Sequence, residues 1–281
     1  MKSKKIVLVV LILLAVLMCY PVLVLVSGSF MGSQELKEGL APMILTTAET
    51  FVSMKVIPLF PTLKHYIEVL LDSPEFFVMF WNSVKLVICI LGLQLVVGVA
   101  AAWGFAKHQF PFKKTLFTIY IVLMMMPFQV TMLSNYLVLD QLKLINTHLA
   151  IILPAGFSTF PVFIMYRFFC DIPKEVIEAA KIDGAGPLRI FRHIALPIGS
   201  AGIISAMVLG FLEYWNLIEQ PMTFLNDKSK WPLSLYLPNI TLEGAGAAFA
   251  ASIIGLIPAV LVFLAGQDYL EKGIMASAVK E

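Results

Sequence analysis

Long runs of apolar residues, separated by short polar segments, make up most of this sequence. Six runs come close to or exceed the roughly 20 residues that a helix needs to cross the hydrocarbon core of a membrane. They cover residues 6–26, 76–105, 116–139, 149–169, 198–218 and 247–270, and the fifth ends in polar residues. Helices are expected because lipid offers no partner to unpaired backbone groups. The pattern predicts an all-α membrane protein, with six transmembrane helices in one domain over residues 1–281.

The composition agrees with a membrane location. Hydrophobic residues make up 59% of the chain and charged residues 14%, whereas a soluble domain carries about 25% charged residues. The first run follows three lysines and is longer than the core of a signal peptide, so we expect an uncleaved anchor, although small residues at 27–29 leave cleavage open. The net charge of +2 comes without a basic stripe, so lipid and not nucleic acid is the expected environment.

The distribution of basic residues predicts the orientation of the chain. With the N-terminus inside, six of the 20 Lys and Arg fall in outer segments: Lys37, Lys55, Lys64, Lys143, Lys228 and Lys230. Lys85 lies near the outer end of the second run, and the other thirteen lie inside. Basic residues are enriched in cytoplasmic loops. We therefore expect a multi-pass protein of the cytoplasmic membrane with both termini in the cytoplasm.

Neither a metal site nor a catalytic site is expected. The three cysteines are scattered and the four histidines fall in four different loops, so no metal-binding spacing is present. The chain contains no phosphate-binding Gly-x-x-x-x-Gly-Lys-Ser/Thr loop and no hydrolase motif. We expect no catalytic residue, no cofactor and no ATP hydrolysis by this chain itself.

The cytoplasmic segment 171–197 is the most informative part of the sequence. Pro173 is suited to a helix start, and a helix is expected to continue to about residue 182. Gly184 and Gly186 then end it, and Pro187 begins a second short helix that ends before Pro197. The sequence predicts a compact helix-turn-helix at the membrane surface.

Two interpretations of this segment are open on local grounds. Val176, Ala179 and Ala180 share one helix face, where small side chains would let a partner approach closely. Glu178 and Asp183 would offer charge to a basic partner, and Phe191 could be an anchor. The alternative is an amphipathic helix on lipid headgroups, which the basic residues of the segment would suit.

A family resemblance favours docking. The segment contains Glu178-Ala179-Ala180, Asp183-Gly184-Ala185, Phe191 and Pro197, and it resembles the EAA loop of binding-protein-dependent ABC permeases. Over nearly its whole length the chain is similar to maltose-type sugar permeases, on the side of the shorter six-span subunit. Asn82-Ser83 and Trp215-Asn216 belong to this similarity. The sequence departs from the pattern after Pro197, where another proline is often found, and this leaves the entry into the fifth span open.

The resemblance implies a fold, partners and residue roles. The fold would be that of type I ABC importer permeases, with 171–197 as the coupling loop. Glu178 would face a cytoplasmic ATPase, Gly184 would permit the turn, and Phe191 and Pro197 would shape the loop. The partners would be a second permease subunit, two ATPase subunits that bind ATP and Mg, and an extracytoplasmic solute-binding protein.

Polar residues within the spans are candidates for a sugar path. They are Gln129, Asn135, Tyr214, Trp215 and Asn216, since polar groups in spans usually face a cavity or another helix. Interfacial anchoring of the aromatic residues and helix–helix contacts of the amides are the competing interpretations.

Other functions remain open at this point. An ion-coupled transporter would use carboxylates within the membrane, and the acidic residues Glu213, Glu219 and Asp268 lie only near span ends. An integral-membrane enzyme would need a catalytic constellation, which is missing. Import of another solute such as glycerol phosphate is compatible with the same architecture.

Overall fold

The computed structural model describes residues 2–44, 57–236 and 244–278, and within these ranges the regular structure is helical throughout. Its helices are Lys2–Phe30, Ser33–Ile44, Lys64–Ile67, Pro74–Lys107, Lys113–Met124, Phe128–Gln141, Leu149–Gly156, Thr159–Cys170, Lys174–Ile182, Pro187–Trp215, Glu219–Phe224 and Ala245–Ala278. The predicted all-α class is confirmed. Lys55 and Lys280, which contributed to the predicted orientation, lie outside the described residues.

Among the residues that the structure describes, five helices are long and apolar enough to cross a membrane. We name them span 1 (Lys5–Phe30), span 2 (Pro74–Lys107), span 4 (Leu149–Cys170), span 5 (Pro187–Trp215) and span 6 (Ala245–Glu271). The predicted third span corresponds to two helices, Lys113–Met124 and Phe128–Gln141, and this bent pair is span 3. With span 3 counted as one, the described ranges contain the six predicted apolar elements.

Span 3 is broken and not merely kinked. Its two helices meet at an angle of 104°. The break falls at 125–127, immediately before the second helix begins at Phe128. Pro127 explains it, because proline lacks an N–H group and its ring collides with the carbonyl four residues earlier. The sequence Met124-Met125-Met126-Pro127 predicts a kink at this proline, and the structure shows a larger interruption at the same place.

Span 5 corrects two expectations. The second short helix of segment 171–197 was expected to end before Pro197, and the fifth span was expected over 198–218. The helix that starts at Pro187 instead continues past Pro197 to Trp215. A π-helical turn at Phe191–Ala195, in which the Leu196 N–H bonds to the Phe191 carbonyl, precedes the proline. This wider turn accommodates the proline ring without ending the helix.

The described residues form two compact units, one within Met1–Val78 and Tyr236–Pro258 and the other within Met79–Leu235 and Ala259–Glu281. The single domain expected over 1–281 stays a prediction. In the first unit, the buried His65 donates from Nε2 to the Met31 carbonyl at 3.1 Å. A Cβ atom on Gly246 would overlap the His65 ring, so this glycine lets span 6 approach the imidazole closely.

The core of the second unit lies between the C-terminal parts of spans 2 and 4 and the start of span 5. Its buried members are Val99, Ala102, Val162, Met165, Phe169, Ile172, Ala195 and Ala206. A Cβ atom on Gly199 would overlap the ring of Phe169, and one on Gly202 would overlap Phe168. Small residues at such positions let membrane helices pack closely. This core forms the base from which segment 171–197 projects.

Candidate functional site

The loop helix, Lys174–Ile182, ends in a turn that the sequence predicted correctly. Gly184 adopts a φ of +78°, which residues with a Cβ rarely adopt. The Gly184 N–H donates to the Lys181 carbonyl at 3.0 Å, and the Ala185 N–H donates to the Ala180 carbonyl at 2.9 Å. These two bonds make a Schellman motif, which satisfies carbonyls that a helix end leaves unpaired.

The residues of the predicted coupling motif present an exposed surface. Glu178, Ala179, Asp183, Gly184 and Pro197 are exposed, and Ala180, Ala185 and Phe191 are half-buried. Within the described part of the chain, Glu178 has no hydrogen-bond or ion-pair partner. The charge of this carboxylate is therefore available to another molecule.

Large apolar side chains accompany the exposed motif. Ile182 is 86% exposed and Leu188 is 77% exposed, one on each side of the Gly184 turn. Val176 is also exposed, so it lies on the outward side of the loop helix together with Ala179, as the sequence predicted. Apolar residues grouped with an unpaired carboxylate are typical of a binding surface.

The other side of the loop helix is fastened to the core. Ile177 and Phe191 pack against the buried cluster of the second unit. The Phe191 ring lies 5.8 Å from that of Trp103, and Trp103 lies 5.6 Å from Phe169. The predicted role of Phe191 in shaping the loop fits this position, although its role in coupling stays a prediction.

Lys107 contributes to this attachment and was missed from the sequence. It is the last residue of span 2, and its Nζ donates to the Ile172 carbonyl at 2.6 Å and to the Cys170 carbonyl at 3.3 Å. A cation at the C-terminal end of a helix complements the helix dipole. Lysine at the end of a span was the available signal, but the sequence does not show which carbonyls it reaches.

Two of the five candidate path residues are buried against their own chain. Tyr214 is 4% exposed, and its hydroxyl accepts a hydrogen bond of 3.0 Å from Gln94. The Trp215 ring stacks on Phe211 at 5.5 Å and meets the edge of Phe80 at 5.7 Å. Their predicted contact with a solute stays a prediction, and in this structure both side chains hold spans together.

The other three candidates lie nearer the surface. Gln129 is exposed, and its Nε2 donates to the Glu219 carboxylate at 2.6 Å. Asn216 ends span 5, where its Nδ2 donates to the Leu212 carbonyl at 2.9 Å. Asn135 is half-buried on the second helix of span 3. The five residues therefore do not form one continuous polar surface.

The segment that follows span 5 is held by side chains from other elements. Asn82 donates to the carbonyls of Ser229 at 2.8 Å and Trp231 at 3.1 Å. The Ser83 hydroxyl accepts the Leu233 N–H at 2.8 Å. Asn82 and Ser83 belong to the family resemblance, and the structure shows that they hold segment 225–233 in place. We call this segment the outer segment, after the side of the membrane predicted for it.

The turn before span 4 holds the same outer segment. Asn146, at a φ of +60°, accepts the N–H groups of Asn226 and Asp227 through Oδ1 at 3.2 and 3.0 Å. His148 donates from Nε2 to the Lys230 carbonyl at 3.0 Å. Desolvation by burial lowers the pKa of His148 below its ordinary value, and the charges of Lys85 and Lys230 act in the same direction.

Asp227 stabilises the turn at the tip of the outer segment. Its carboxylate accepts from the Ser229 hydroxyl at 2.8 Å and from the Ser229 N–H at 3.0 Å. These hydrogen bonds from Ser229 lower the pKa of Asp227, and the nearby Lys230 does so to a lesser extent.

In the ranges that the structure describes, no cluster of three or more His, Cys, Asp or Glu residues is arranged to hold a metal ion.

Comparisons with known proteins agree on one class of protein. The family described as "Binding-protein-dependent transport system inner membrane component" matches residues 94–276. The arabinooligosaccharides transport system permease protein AraQ of Halalkalibacterium halodurans is 26% identical over 95% of this chain and 93% of its own. The sn-glycerol-3-phosphate transport system permease protein UgpE of Salmonella typhi is 28% identical over 73% of this chain and 75% of its own.

One solved structure shares the fold. It is a bacterial ABC transporter involved in the import of the acidic polysaccharide alginate, with a TM-score of 0.78 and 22% sequence identity, covering 95% of this chain and 96% of the matched chain. At this identity the likeness concerns the fold. The type I importer permease architecture expected from the sequence is thereby confirmed.

Proposed function

The chain belongs to the family of binding-protein-dependent transport system inner membrane components, and we propose that it is the permease subunit of an ATP-driven importer of a sugar or oligosaccharide. An extracytoplasmic solute-binding protein delivers the solute, and a second permease subunit completes the pathway. The chain contributes translocation only, and ATP with Mg binds to two separate ATPase subunits. It crosses the bacterial cytoplasmic membrane several times with both termini in the cytoplasm.

One structural observation carries the proposed coupling role. The loop helix packs on the core through Ile177, and the residues that flank it are fastened to the same core by the Lys107 hydrogen bond to the Ile172 carbonyl and by Phe191. On the exposed side of the loop helix lie Ile182 and Glu178, which has no partner among the described residues, and Leu188 is exposed just beyond the Gly184 turn. A rigidly held helix with an apolar surface and an unpaired charge is suited to a groove of a partner protein. We assign that groove to the ATPase.

The class of solute is supported by the chemistry near the predicted path. Its five candidate residues are uncharged, and Gln129 bonds directly to the carboxylate of Glu219. An anionic solute such as glycerol phosphate would be repelled by this negative charge, because none of these residues supplies a compensating cation. A neutral sugar would not be repelled. The similarity to the glycerol-phosphate permease keeps that solute as the competing candidate. Uptake of labelled arabinooligosaccharides and of labelled glycerol phosphate, each with its own binding protein, separates the two.

A charge reversal tests the coupling surface. Glu178→Lys places a cation where a basic partner surface is expected, so ATPase docking and ATP-dependent uptake should be lost while the membrane fold persists. Glu271→Lys is the matched control: it makes the same charge change at an exposed residue outside the loop, and it should transport normally. Copurification of the ATPase and uptake by proteoliposomes are the measurements.

Two results would contradict the proposal. Normal transport by Glu178→Lys would remove Glu178 from the coupling surface. Uptake that needs neither ATPase nor binding protein and that collapses with an ionophore would instead establish an ion-coupled transporter.

A further inference from the structure

A single buried amide links three spans. Gln94 is 1% exposed and begins the π-helical turn Gln94–Gly98 of span 2. Its Nε2 donates to the Ala155 carbonyl of span 4 at 2.8 Å and to the Tyr214 hydroxyl of span 5 at 3.0 Å. Both protons of the amide nitrogen are therefore used.

The oxygen of the same amide is unsatisfied. Gln94 Oε1 is buried and has no hydrogen-bond partner among the residues that the structure describes. Exchanging the nitrogen and oxygen positions would place two acceptors, Oε1 and the Ala155 carbonyl, against each other, so the orientation of the amide is determined by its surroundings. A buried acceptor without a donor is unfavourable, and a donor is therefore expected at Oε1.

A small cavity is lined in part by Gln94. Its lining also includes the hydroxyl-bearing residues Ser158 and Tyr120 and the apolar residues Gly156, Pro161 and Val162. It has about 20 Å³ of space for the centre of a water molecule, and one water needs roughly 10–15 Å³ by the same measure. The space is enough for one water molecule and too small for a sugar ring.

We propose that this cavity binds one water molecule, which donates a hydrogen bond to Gln94 Oε1. Ser158 and Tyr120 line the same cavity, and we assign the further hydrogen bonds of the water to their hydroxyl groups, in keeping with the two to four polar neighbours of buried waters. The site is built from one chain and does not depend on which solute is transported.

The water site lies where two spans are interrupted. Span 4 is interrupted between Gly156 and Thr159, and the Ala155 carbonyl at this break accepts the Gln94 amide and the Ser158 N–H at 3.1 Å. The π-helical turn of span 2 starts at Gln94 itself. The regular helices that follow the two interruptions, Val99–Lys107 and Thr159–Cys170, pack in one core, and the second of them leads to the loop helix.

Hydroxyl-radical labelling in ¹⁸O-water tests the site in the assembled transporter. Tyr214 is nearly buried and does not line the cavity itself, but it is hydrogen-bonded to Gln94, which does. A bound water should therefore label Tyr214 above the background given by Phe224, which is also buried and lies outside the cavity lining. In Gln94→Met the water loses its acceptor, and Tyr214 labelling should fall to that background. Gln109→Met makes the same change at an exposed loop residue and should leave Tyr214 labelling unchanged.

Two results would overturn the water site. One is Tyr214 labelling at the Phe224 level in the unsubstituted protein, and the other is unchanged labelling in Gln94→Met. A density map of the unsubstituted transporter that resolves other buried waters gives a test without substitution: a peak about 3 Å from Oε1 is expected. An empty cavity, a protein donor or a solute hydroxyl at Oε1 would refute the proposal.

Discussion

The Gly184 turn gives the sharpest quantitative prediction. Gly184 has a φ of +78°, and a Cβ built on it meets no atom within 4 Å. Gly184→Ala therefore adds no steric clash, and its effect comes from the backbone conformation alone. Gly186, two residues later in the same loop, has a φ of −69° and is equally open. Gly186→Ala is the matched control because only the sign of φ differs.

The expected magnitude follows from the left-handed conformation. This conformation costs a residue with a Cβ roughly 1–2 kcal/mol. Since about 1.4 kcal/mol corresponds to a factor of ten, Gly184→Ala should open the turn about 5- to 30-fold more often. Asparagine tolerates this region better than alanine, so the turn in Gly184→Asn should open more often than in the unsubstituted protein and less often than in Gly184→Ala.

Amide hydrogen exchange measures the opening directly. The reporter is the Ala185 N–H, which bonds to the Ala180 carbonyl only while the turn is closed. Its exchange should accelerate in Gly184→Ala by the factor above and remain unchanged in Gly186→Ala. Equal exchange in the two variants would refute the argument that the left-handed backbone defines this turn, whatever the ATPase activity of the assembled transporter.

Three further predictions concern the attachments of the loop helix and the outer segment. Lys107→Met removes charged hydrogen bonds to the carbonyls of Cys170 and Ile172, each worth roughly 1.5–3 kcal/mol. Amide exchange across Lys174–Ile182 should therefore accelerate at least about tenfold. Lys107→Arg should partly restore the protection. Asn82→Ala removes two hydrogen bonds to the outer segment, with a total effect of about 1–3 kcal/mol. Limited proteolysis should therefore cut residues 225–233 faster in this variant than in the unsubstituted protein. Equal cutting rates would contradict this prediction. The pKa of His148 is lowered from its ordinary value of 6.5, so the stabilisation contributed by its neutral form is fully present above that pH and declines as the pH falls below it. Protection of 225–233 from exchange, relative to the intrinsic rate at each pH, should decline in the same way. His148→Gln keeps a donor but does not titrate, so it should show no such decline.

Local rules explain the features that were predicted correctly. The apolar runs predicted the spans because the cost of placing polar groups in lipid depends on each segment itself. Pro127 and Gly184 predicted interruptions because proline and glycine act on the backbone at their own positions. The family resemblance of 171–197 rests on the same short stretch of sequence.

Pro197 shows how a local rule fails. Proline normally ends or kinks a helix, and the sequence therefore predicted an end before it. The structure instead widens the preceding turn, Phe191–Ala195. Phe191 packs against the core and Ala195 is buried within it, so packing holds the wider turn in place. No residue within the turn predicts from sequence that the helix widens and continues past Pro197.

The polar residues of the spans show a second limit of prediction from the sequence. Tyr214, Asn135 and Gln129 look alike in sequence, as polar residues in apolar runs, but one is buried against Gln94, one is half-buried and one bonds Glu219. Gln94 itself was overlooked, although a lone amide in the middle of a span is a signal in its own right. Which way such a side chain faces depends on the neighbouring helices.

The sequence by itself determined the six apolar elements, the break at Pro127, the glycine turn of the loop and the family to which the chain belongs. These follow from transfer into lipid and from backbone restrictions, which act over a few residues. Only the tertiary structure decided that Lys107 holds the start of the loop helix, that span 5 begins at Pro187 and that Gln94 ties spans 2, 4 and 5 together. Each of those depends on contacts between residues about 60 or more positions apart or on packing against other helices, and helix rotation and contact partners are set by packing and not by local pattern.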